Sequence, residues 1–425
     1  MSALGITIGV LALVAAFATM LLLTRGTPVK SVRSFEAGGP PAPGEAGFVP
    51  LIEALVPTHL ETGHHIQLLN DGDGTFPRLL DDLRAARESI LIQVYFWKSG
   101  SLSDTIGAVL AERARAGIRV LALFDDFGAD IPPEYLDMLR DAGVMVAELR
   151  PVSLFELHKS QQRSHLRVVV VDRAIGYTGG FGIADEWLGN GRTRDQWRET
   201  NVRFTGPAVA QLAGSFAAGW AEATGVLLVA DPASAQPADD AGDSYAGIIY
   251  TSPTTGSTPA ERLIALSFAA ARERLYVANA YFVPDDDFRA MLIGAAARGV
   301  DVRILVPSAD TDVPIARHAA RASYRQLLEG GVRIWEYGPT MMHAKTLVAD
   351  GLWSLVGTLN IDNRSLALND EVTLAALDRE LGRALEETFV QDLDYSVEIL
   401  ASQFAKRGGW QRAKENAAVL LSRWL

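Results

Sequence analysis

Apolar and polar positions follow two rhythms along this chain, preceded by one unbroken apolar run. From Ser2 to Thr24 no charged residue occurs, and Leu, Ile, Val and Ala dominate. At about 1.5 Å per residue, a helix of that length crosses a hydrocarbon layer of about 30 Å. No Lys or Arg precedes the run and no small-residue cleavage site stands before Arg25. The pattern therefore predicts an uncleaved transmembrane helix over 1–25 rather than a removed signal peptide. Arg25, Lys30 and Arg33 follow it and, by the positive-inside rule, place the rest of the chain on the cytoplasmic side. Residues 26–50 contain the Gly/Pro-dense FEAGGPPAPGEAG and read as a flexible linker; residues 229–247 lack apolar periodicity and read as a second.

Between and after these breaks the chain repeats itself. Ala86-Arg87-Glu88 leads through ILIQV to Tyr95-Phe96, and Ala271-Arg272-Glu273 leads through LYVANA to Tyr281-Phe282. Arg115–Val120 matches Ala297–Val302, and Ala142-Gly143-Val144 matches Gly330-Gly331-Val332. In each copy a 3.6-period segment (108–116, 290–297) closes on a glycine suited to a left-handed cap and precedes a β-branched strand, IRVLALF or VDVRILVP. Helices alternating with strands predict an α/β class. The expected architecture is two homologous lobes, 51–228 and 248–425, each a mixed sheet flanked by helices, related by a pseudo-two-fold axis with any shared site on that axis.

Composition narrows the function. The chain has 425 residues, enough for two cored lobes, and a formal net charge of −12. That balance argues against a general nucleic-acid binder, which carries a basic face. The absence of cysteine excludes disulfides, zinc–thiolate sites and a thiol nucleophile.

The chemistry sits at one place in each repeat. His165-Leu166-Arg167 runs to Asp172, and His343-Ala344-Lys345 runs to Asp350, both as H-x-[KR]-x4-D, 178 residues apart. Fourteen residues after each histidine, Gly179-Gly180 falls opposite Gly357-Thr358. Residues i and i+2 of a strand share a face, so each histidine projects with its cation. Two such units supply two imidazoles and two cations for a phosphodiester. One histidine attacks phosphorus, the other protonates the leaving alcohol, and the cations stabilise the five-coordinate phosphorus. No metal or cofactor is required. Asp172 and Asp350 stand at strand ends and read as structural. Tyr95, Phe96, Tyr281 and Phe282 read as core or pocket wall, and His59, His64, His65, His158 and His318 as structural.

These paired motifs resemble the HKD motifs of the phospholipase D superfamily. Asn360–Glu371 (NIDNRSLALNDE), Tyr281–Asp285 (YFVPD), and Gly206-Pro207-Ala208-Val209 followed by Trp220 resemble the bacterial cardiolipin synthase subgroup. The resemblance spans roughly Gln67 to the C-terminus. It implies a membrane phosphatidyltransferase that forms a phosphohistidine and makes cardiolipin from phosphatidylglycerol, with phospholipid substrates and no nucleic acid. The same residues could pass the phosphatidyl group to water, as a phospholipase D does. Another phosphodiesterase or nuclease, or an inactive membrane scaffold, are further alternatives. The resemblance implies His165 as nucleophile and His343 as acid and base. It implies a carboxylate behind each histidine, with Glu371 fitting His343 and Glu199 fitting His165. Asn360, Thr358 and Gly180 are candidate phosphate ligands. The first copy departs from the pattern twice: Arg167 replaces lysine, and Gly182 stands where an asparagine is expected opposite Asn360. This makes it either a tuned site or a decayed lobe. At the C-terminus, Trp410, Ala413, Ala417, Leu420, Leu421 and Trp424 share one side of a predicted helix, which either packs on the second lobe or meets the bilayer interface.

Overall fold

The computed structural model describes residues 38–151, 162–228, 242–253 and 257–420, together with Gly9, Ala12, Leu13, Ala15, Ala16, Thr19, Val32 and Phe35. Nearly all of the predicted anchor, most of the first linker before residue 38, His158, Leu421 and Trp424 lie outside the described residues. Among the described residues no helix is long and apolar enough to cross a membrane.

The first half contributes β1 (Glu61–Asn70), β2 (Ser89–Val94), β3 (Trp97–Lys98), β4 (Arg119–Asp125), β5 (Ala129–Asp130), β6 (Met145–Leu149), β7 (Arg167–Val171), β8 (Ile175–Gly179) and β9 (Thr200–Thr205). The second contributes β10 (Ser244–Thr251), β11 (Arg274–Asn279), β12 (Asp301–Pro307), β13 (Arg333–Tyr337), β14 (Lys345–Ala349), β15 (Trp353–Gly357), β16 (Glu371–Leu377) and β17 (Ser396–Glu398). Apart from the β3–β5 pair, all join one mixed sheet in the order β17-β13-β12-β11-β14-β15-β16-β10-β1-β9-β8-β7-β2-β4-β6. From the β10–β1 contact outward, the strand order on one side repeats that on the other. β2, β4 and β6 are parallel, as are β11, β12 and β13, whereas β7–β8 and β14–β15 are antiparallel hairpins.

The motif strands are buried on both faces, as an internal position in such a sheet demands. Val168 and Val170 of β7 enter a central core, and Val169 and Val171 an outer one. Val348 of β14 joins the same central core, while Leu347 and Ala349 join the outer core of the second half. The central core draws on both halves. The helices Ala208–Thr224 and Arg379–Leu393 cover it with Leu212, Phe216, Leu385 and Phe389. The helices that precede β4 and β12, Ser101–Arg115 and Asp286–Ala297, are followed by Gly117 and Gly299, whose φ of 89° and 92° need glycine.

Two segments differ from the expected boundaries. Phe48, Ile52, Val56 and Leu60, assigned to the linker and the first lobe, pack into the outer core of the second half. Phe48 meets Trp353 edge-on at 5.0 Å. An amphipathic turn of helix inside a Gly/Pro-rich stretch is not distinguishable from linker by composition, so its apolar face was legible only once a partner surface existed. β10 likewise begins at Ser244, inside the expected second linker, because Ser244 and Ala246 pair with β1.

Candidate active site

Each motif aspartate ties its hairpin to a neighbouring strand. Asp172 accepts hydrogen bonds from the backbone N–H groups of Arg87 (2.9 Å), Glu88 (2.7 Å) and Ser89 (2.9 Å). Asp350 does the same for Arg272 (2.9 Å), Glu273 (2.8 Å) and Arg274 (2.9 Å). Both sit at positive φ, 51° and 56°, which aspartate tolerates in a turn. These bonds anchor the leading strands β2 and β11 against β7 and β14, so the aspartates set the framework at the far end of the motif strands from the histidines.

The two histidines are held by the opposite halves. The His165 N–H donates to the Asp370 carbonyl at 3.0 Å, and the His343 N–H to the Arg198 carbonyl at 2.8 Å. Each acceptor immediately precedes a buried glutamate. His165 Nδ1 lies 2.9 and 3.1 Å from the Glu371 oxygens, and His343 Nδ1 lies 2.6 Å from Glu199 Oε2. The expected assignment, Glu371 behind His343 and Glu199 behind His165, is therefore corrected: the carboxylates cross over. The cause is topological. β9 and β16 begin beside the chain that enters the motif of the other half, through the isolated bridges Ser164↔Asp370 and Arg198↔Met342. Ion clusters across the halves fix both crossing points. Arg198 pairs with Asp71 (3.2 Å) and Asp392 (2.9 Å), and Arg150 pairs with Asp370 (2.9 Å) and Glu222 (2.7 Å). With Nδ1 bound to carboxylate, each imidazole keeps Nε2 for chemistry.

Each cation bonds the backbone carbonyl of its own motif histidine. Arg167 donates to the carbonyls of His165 (2.9 Å) and Phe181 (3.3 Å), and its guanidinium lies 5.8 Å from the centre of the Tyr95 ring. Lys345 Nζ lies 3.0 Å from both ring nitrogens of His343, donates to the His343 carbonyl, and sits 5.9 Å from the centre of the Tyr281 ring. Burial lowers both histidines well below the ordinary imidazole value, and the charges of Arg167 and Lys345 add to it. Each cation acts on both rings, so the two motifs form one electrostatic unit. Burial brings Lys345 down to about 7 and pushes Glu371 up to about 8, and it also raises Glu199. Burial thus favours neutral imidazoles in the free site, and an anionic phosphate entering it would oppose that shift.

The two halves are not equivalent. Thr358, expected as a phosphate ligand, donates its hydroxyl to Glu371 instead. A buried carboxylate needs donors, and Asn369 Nδ2 supplies another at 3.3 Å. At the matching Gly180, a Cβ would fall 2.4 Å from a Glu199 oxygen, so glycine lets that carboxylate approach the chain. A Cβ on Gly182 would fall 2.7 Å from the Trp187 ring, which occupies the space of the missing asparagine side chain. Asn360 is buried, and its Oδ1 has no hydrogen-bond partner among the described residues. Turning the amide would present its NH2 at that position instead.

An aromatic wall surrounds the rings. Tyr95 meets His165 edge-on at 5.2 Å, Trp187 and Trp197 lie 5.4 and 5.1 Å from His343, and Tyr281 lies 6.3 Å from it. Neither Trp187 nor Trp197 is a sequence candidate. The signal was present in the spacing DEWLGNGRTRDQW between the first-half glycines and Glu199. His64, read as structural, is buried with Nε2 accepting from the Ala208 N–H at 2.9 Å. Among the described residues no cluster of three or more His, Asp or Glu side chains is arranged to hold a metal ion.

Known proteins resemble this chain in sequence and in fold. Residues 265–393 match the family model described as cardiolipin synthase, phospholipase D-like domain. The chain is 33% identical over 359 residues to a cardiolipin synthase of Alkalihalophilus pseudofirmus, covering 84% of this chain and 71% of that one. It is 34% identical over 358 residues to cardiolipin synthase 2 of Bacillus cereus, covering 83% and 69%. In fold it is similar to phosphatidylserine synthase of Haemophilus influenzae, with a TM-score of 0.64 at 13% identity, over 89% of this chain and 99% of that one. Polyphosphate kinase of Porphyromonas gingivalis shares the fold at a TM-score of 0.54, over 88% and 52%.

Proposed function

The chain belongs to the cardiolipin synthase family of phospholipase D-type phosphatidyltransferases, and from that premise we propose how its own residues make cardiolipin from phosphatidylglycerol. Nε2 of His165 attacks the phosphorus of one phosphatidylglycerol, and the bond to the headgroup glycerol breaks. As the anionic lipid binds, His343 takes up a proton on Nε2, and that proton passes to the departing glycerol oxygen, leaving a phosphatidyl group on His165. The headgroup hydroxyl of a second phosphatidylglycerol then gives its proton back to His343 and attacks the phosphorus. The P–N bond breaks, cardiolipin leaves, and both histidines return to their starting states.

Each named group has one task. Glu371 and Glu199 hold Nδ1 of the two rings, so Nε2 is the reacting atom in both. Arg167 and Lys345 oppose the negative charge that grows on the phosphorane oxygens. Lys345, beside both ring nitrogens of His343, favours proton release from that ring. The roles of His343 as the acid and His165 as the nucleophile follow the family resemblance. Asn360 is the further phosphate ligand. The observation that carries the reading is the crossed pair of His–Glu contacts, which makes the site dependent on both halves.

The lobes are taken as 61–228 and 244–425, related by a pseudo-two-fold axis through the β1–β10 contact, with residues 38–60 strapped onto the second. The repeated strand order supports this. Residues 2–24 would anchor the chain in a bacterial-type cell membrane, with the lobes on the cytoplasmic side. Such tethering suits substrates that never leave the bilayer. A trapping experiment tests the assignment of roles. In His343→Ala, peptide mass spectrometry after mixing with phosphatidylglycerol should find the phosphatidyl adduct on His165. An adduct on His343 in His165→Ala, with none in the converse variant, would reverse the roles.

A further inference from the structure

The helix Gly409–Val419 packs along the helix Pro314–Glu329 through one narrow face. Glu415 and Ala418 are its buried residues, and Glu415 is the anchor, accepting from Arg407 Nε at 2.7 Å and Arg321 Nε at 3.4 Å. The opposite face is open. Trp410 is 74% exposed and Leu420, just past the helix, 77%. Ala413, Asn416 and Ala417 lie between them and are also exposed. At 3.6 residues per turn these positions form one outward stripe, with Lys414 on one flank and Arg412 on the other. Lys414 Nζ lies 5.5 Å from the centre of the Trp410 ring.

The charge of this segment is opposite to that of the chain. Residues 405–420 carry Lys406, Arg407, Arg412 and Lys414 against Glu415 alone, in a protein of net charge −12. Glu415 is fully buried and already paired, so its charge does not reach the surface. Lys406, Arg412 and Lys414 are exposed, and none of them pairs with a carboxylate among the described residues. An isolated exposed leucine is ordinary, but a tryptophan and a leucine three turns apart, with small residues between and cations on the flanks, is the pattern of a helix lying in a lipid interface. Tryptophan favours the headgroup level, and Lys and Arg reach from there to anionic phosphates.

We propose that the Gly409–Val419 helix docks flat on an anionic phospholipid surface through Trp410, Ala413, Ala417 and Leu420, with Arg412, Lys414 and Lys406 on lipid phosphates. This contact is separate from the apolar run at residues 2–24. It gives an acidic protein one face that an anionic bilayer attracts and so restrains the orientation of the second half against the membrane. The proposal rests on exposure and charge, not on the reaction, so either can fail while the other stands.

The chain contains no cysteine, so Ala417→Cys creates a single labelling site for an environment-sensitive fluorophore. The labelled full chain is compared in detergent, in phosphatidylcholine vesicles and in vesicles containing phosphatidylglycerol. The expected result is blue-shifted emission, quenched by brominated acyl chains, in the anionic vesicles. The shift should be much weaker in phosphatidylcholine, and should be lost on adding Arg412→Glu and Lys414→Glu. Retained lipid turnover in detergent shows that these variants are folded. Emission equal in all three media would overturn the proposal. So would a shift insensitive to lipid charge and to the charge reversals, or one that grows with protein concentration without lipid, which would mark self-association.

Discussion

His165 and Glu371 stand 206 positions apart, yet the imidazole Nδ1 lies 2.9 Å from the carboxylate, and both side chains are buried. His343 and Glu199 repeat the contact in the opposite direction at 2.6 Å. Each ring is thus aimed by a carboxylate from the other half. Replacing Glu371 by Gln should move the side-chain 15N resonances of His165 and leave those of His343 nearly unchanged, with Glu199→Gln doing the reverse. Each substitution should lower turnover on the order of 10²–10⁴-fold. If Glu371→Gln moved His343 alone, the crossed arrangement would be wrong.

Glu371 also links activity to stability. Burial raises it from an ordinary carboxyl value to about 8. The folded state therefore keeps a proton that the unfolded state loses near pH 4.5, and the stability this contributes fades as pH rises towards 8. Glutamine has no proton to lose. The melting temperature of Glu371→Gln relative to the parent should rise between pH 5 and pH 8. A constant difference across that range would contradict the assignment.

Lys345 sets the alkaline limb. Burial lowers it from 10.5 to about 7, so its ammonium charge is present below that pH and lost above it. The free-enzyme parameter kcat/KM should fall as pH rises above about 7. An anionic lipid in the site favours the charged form, so the limb for kcat should lie higher. Lys345→Arg should move the limb of kcat/KM upward by more than one unit while lowering the maximal rate, because guanidinium stays charged to about pH 12 or beyond.

Arg167 holds two carbonyls at once, those of His165 and Phe181, which a lysine amine reaches less completely. Lys345 nonetheless holds the His343 carbonyl in the matching place. Arg167→Lys is therefore expected to keep activity to within about tenfold, and Arg167→Ala to lose about 10²–10³-fold, the scale of one oxyanion-stabilising group. Vesicle turnover measures both. Abolition by the lysine variant would mean that the planar fork itself is needed.

The motif aspartates bear on stability. In Asp350→Asn, an NH2 would face the Arg272 N–H that Oδ2 now accepts. The loss is about 1–3 kcal/mol for a charge-assisted bond left unmade. Thermal unfolding should shift down while turnover measured well below the transition stays near that of the parent. A collapse of turnover in folded protein would place Asp350 in the chemistry.

How much of this was readable beforehand varies with the range of the contact. The i, i+2 spacing of each histidine and its cation, on an apolar strand that ends at Asp172 or Asp350, is local information, and it made their shared face legible. The repeat of Tyr95-Phe96 in Tyr281-Phe282 likewise exposed the two-fold organisation, because equal spacing survives in one dimension. The crossing of Glu199 and Glu371 did not survive, since nearness in sequence favours the wrong partner: Glu371 lies 28 residues from His343 but 206 from His165, and only the bridges at Ser164 and Arg198 decide. Thr358 was misread for a related reason: its hydroxyl faces a buried carboxylate that sequence spacing cannot place. Trp187 fills the volume that Gly182 leaves open, a compensation visible only when both are in three dimensions.

The most direct measurement is the lipid product itself. The full chain is placed in mixed phosphatidylglycerol and phosphatidylethanolamine vesicles beside His165→Ala and His343→Ala, and products are read by mass spectrometry. The account predicts cardiolipin and free glycerol from the parent chain and no cardiolipin from either variant. Phosphatidic acid without cardiolipin, or cardiolipin still formed by either histidine variant, would contradict it.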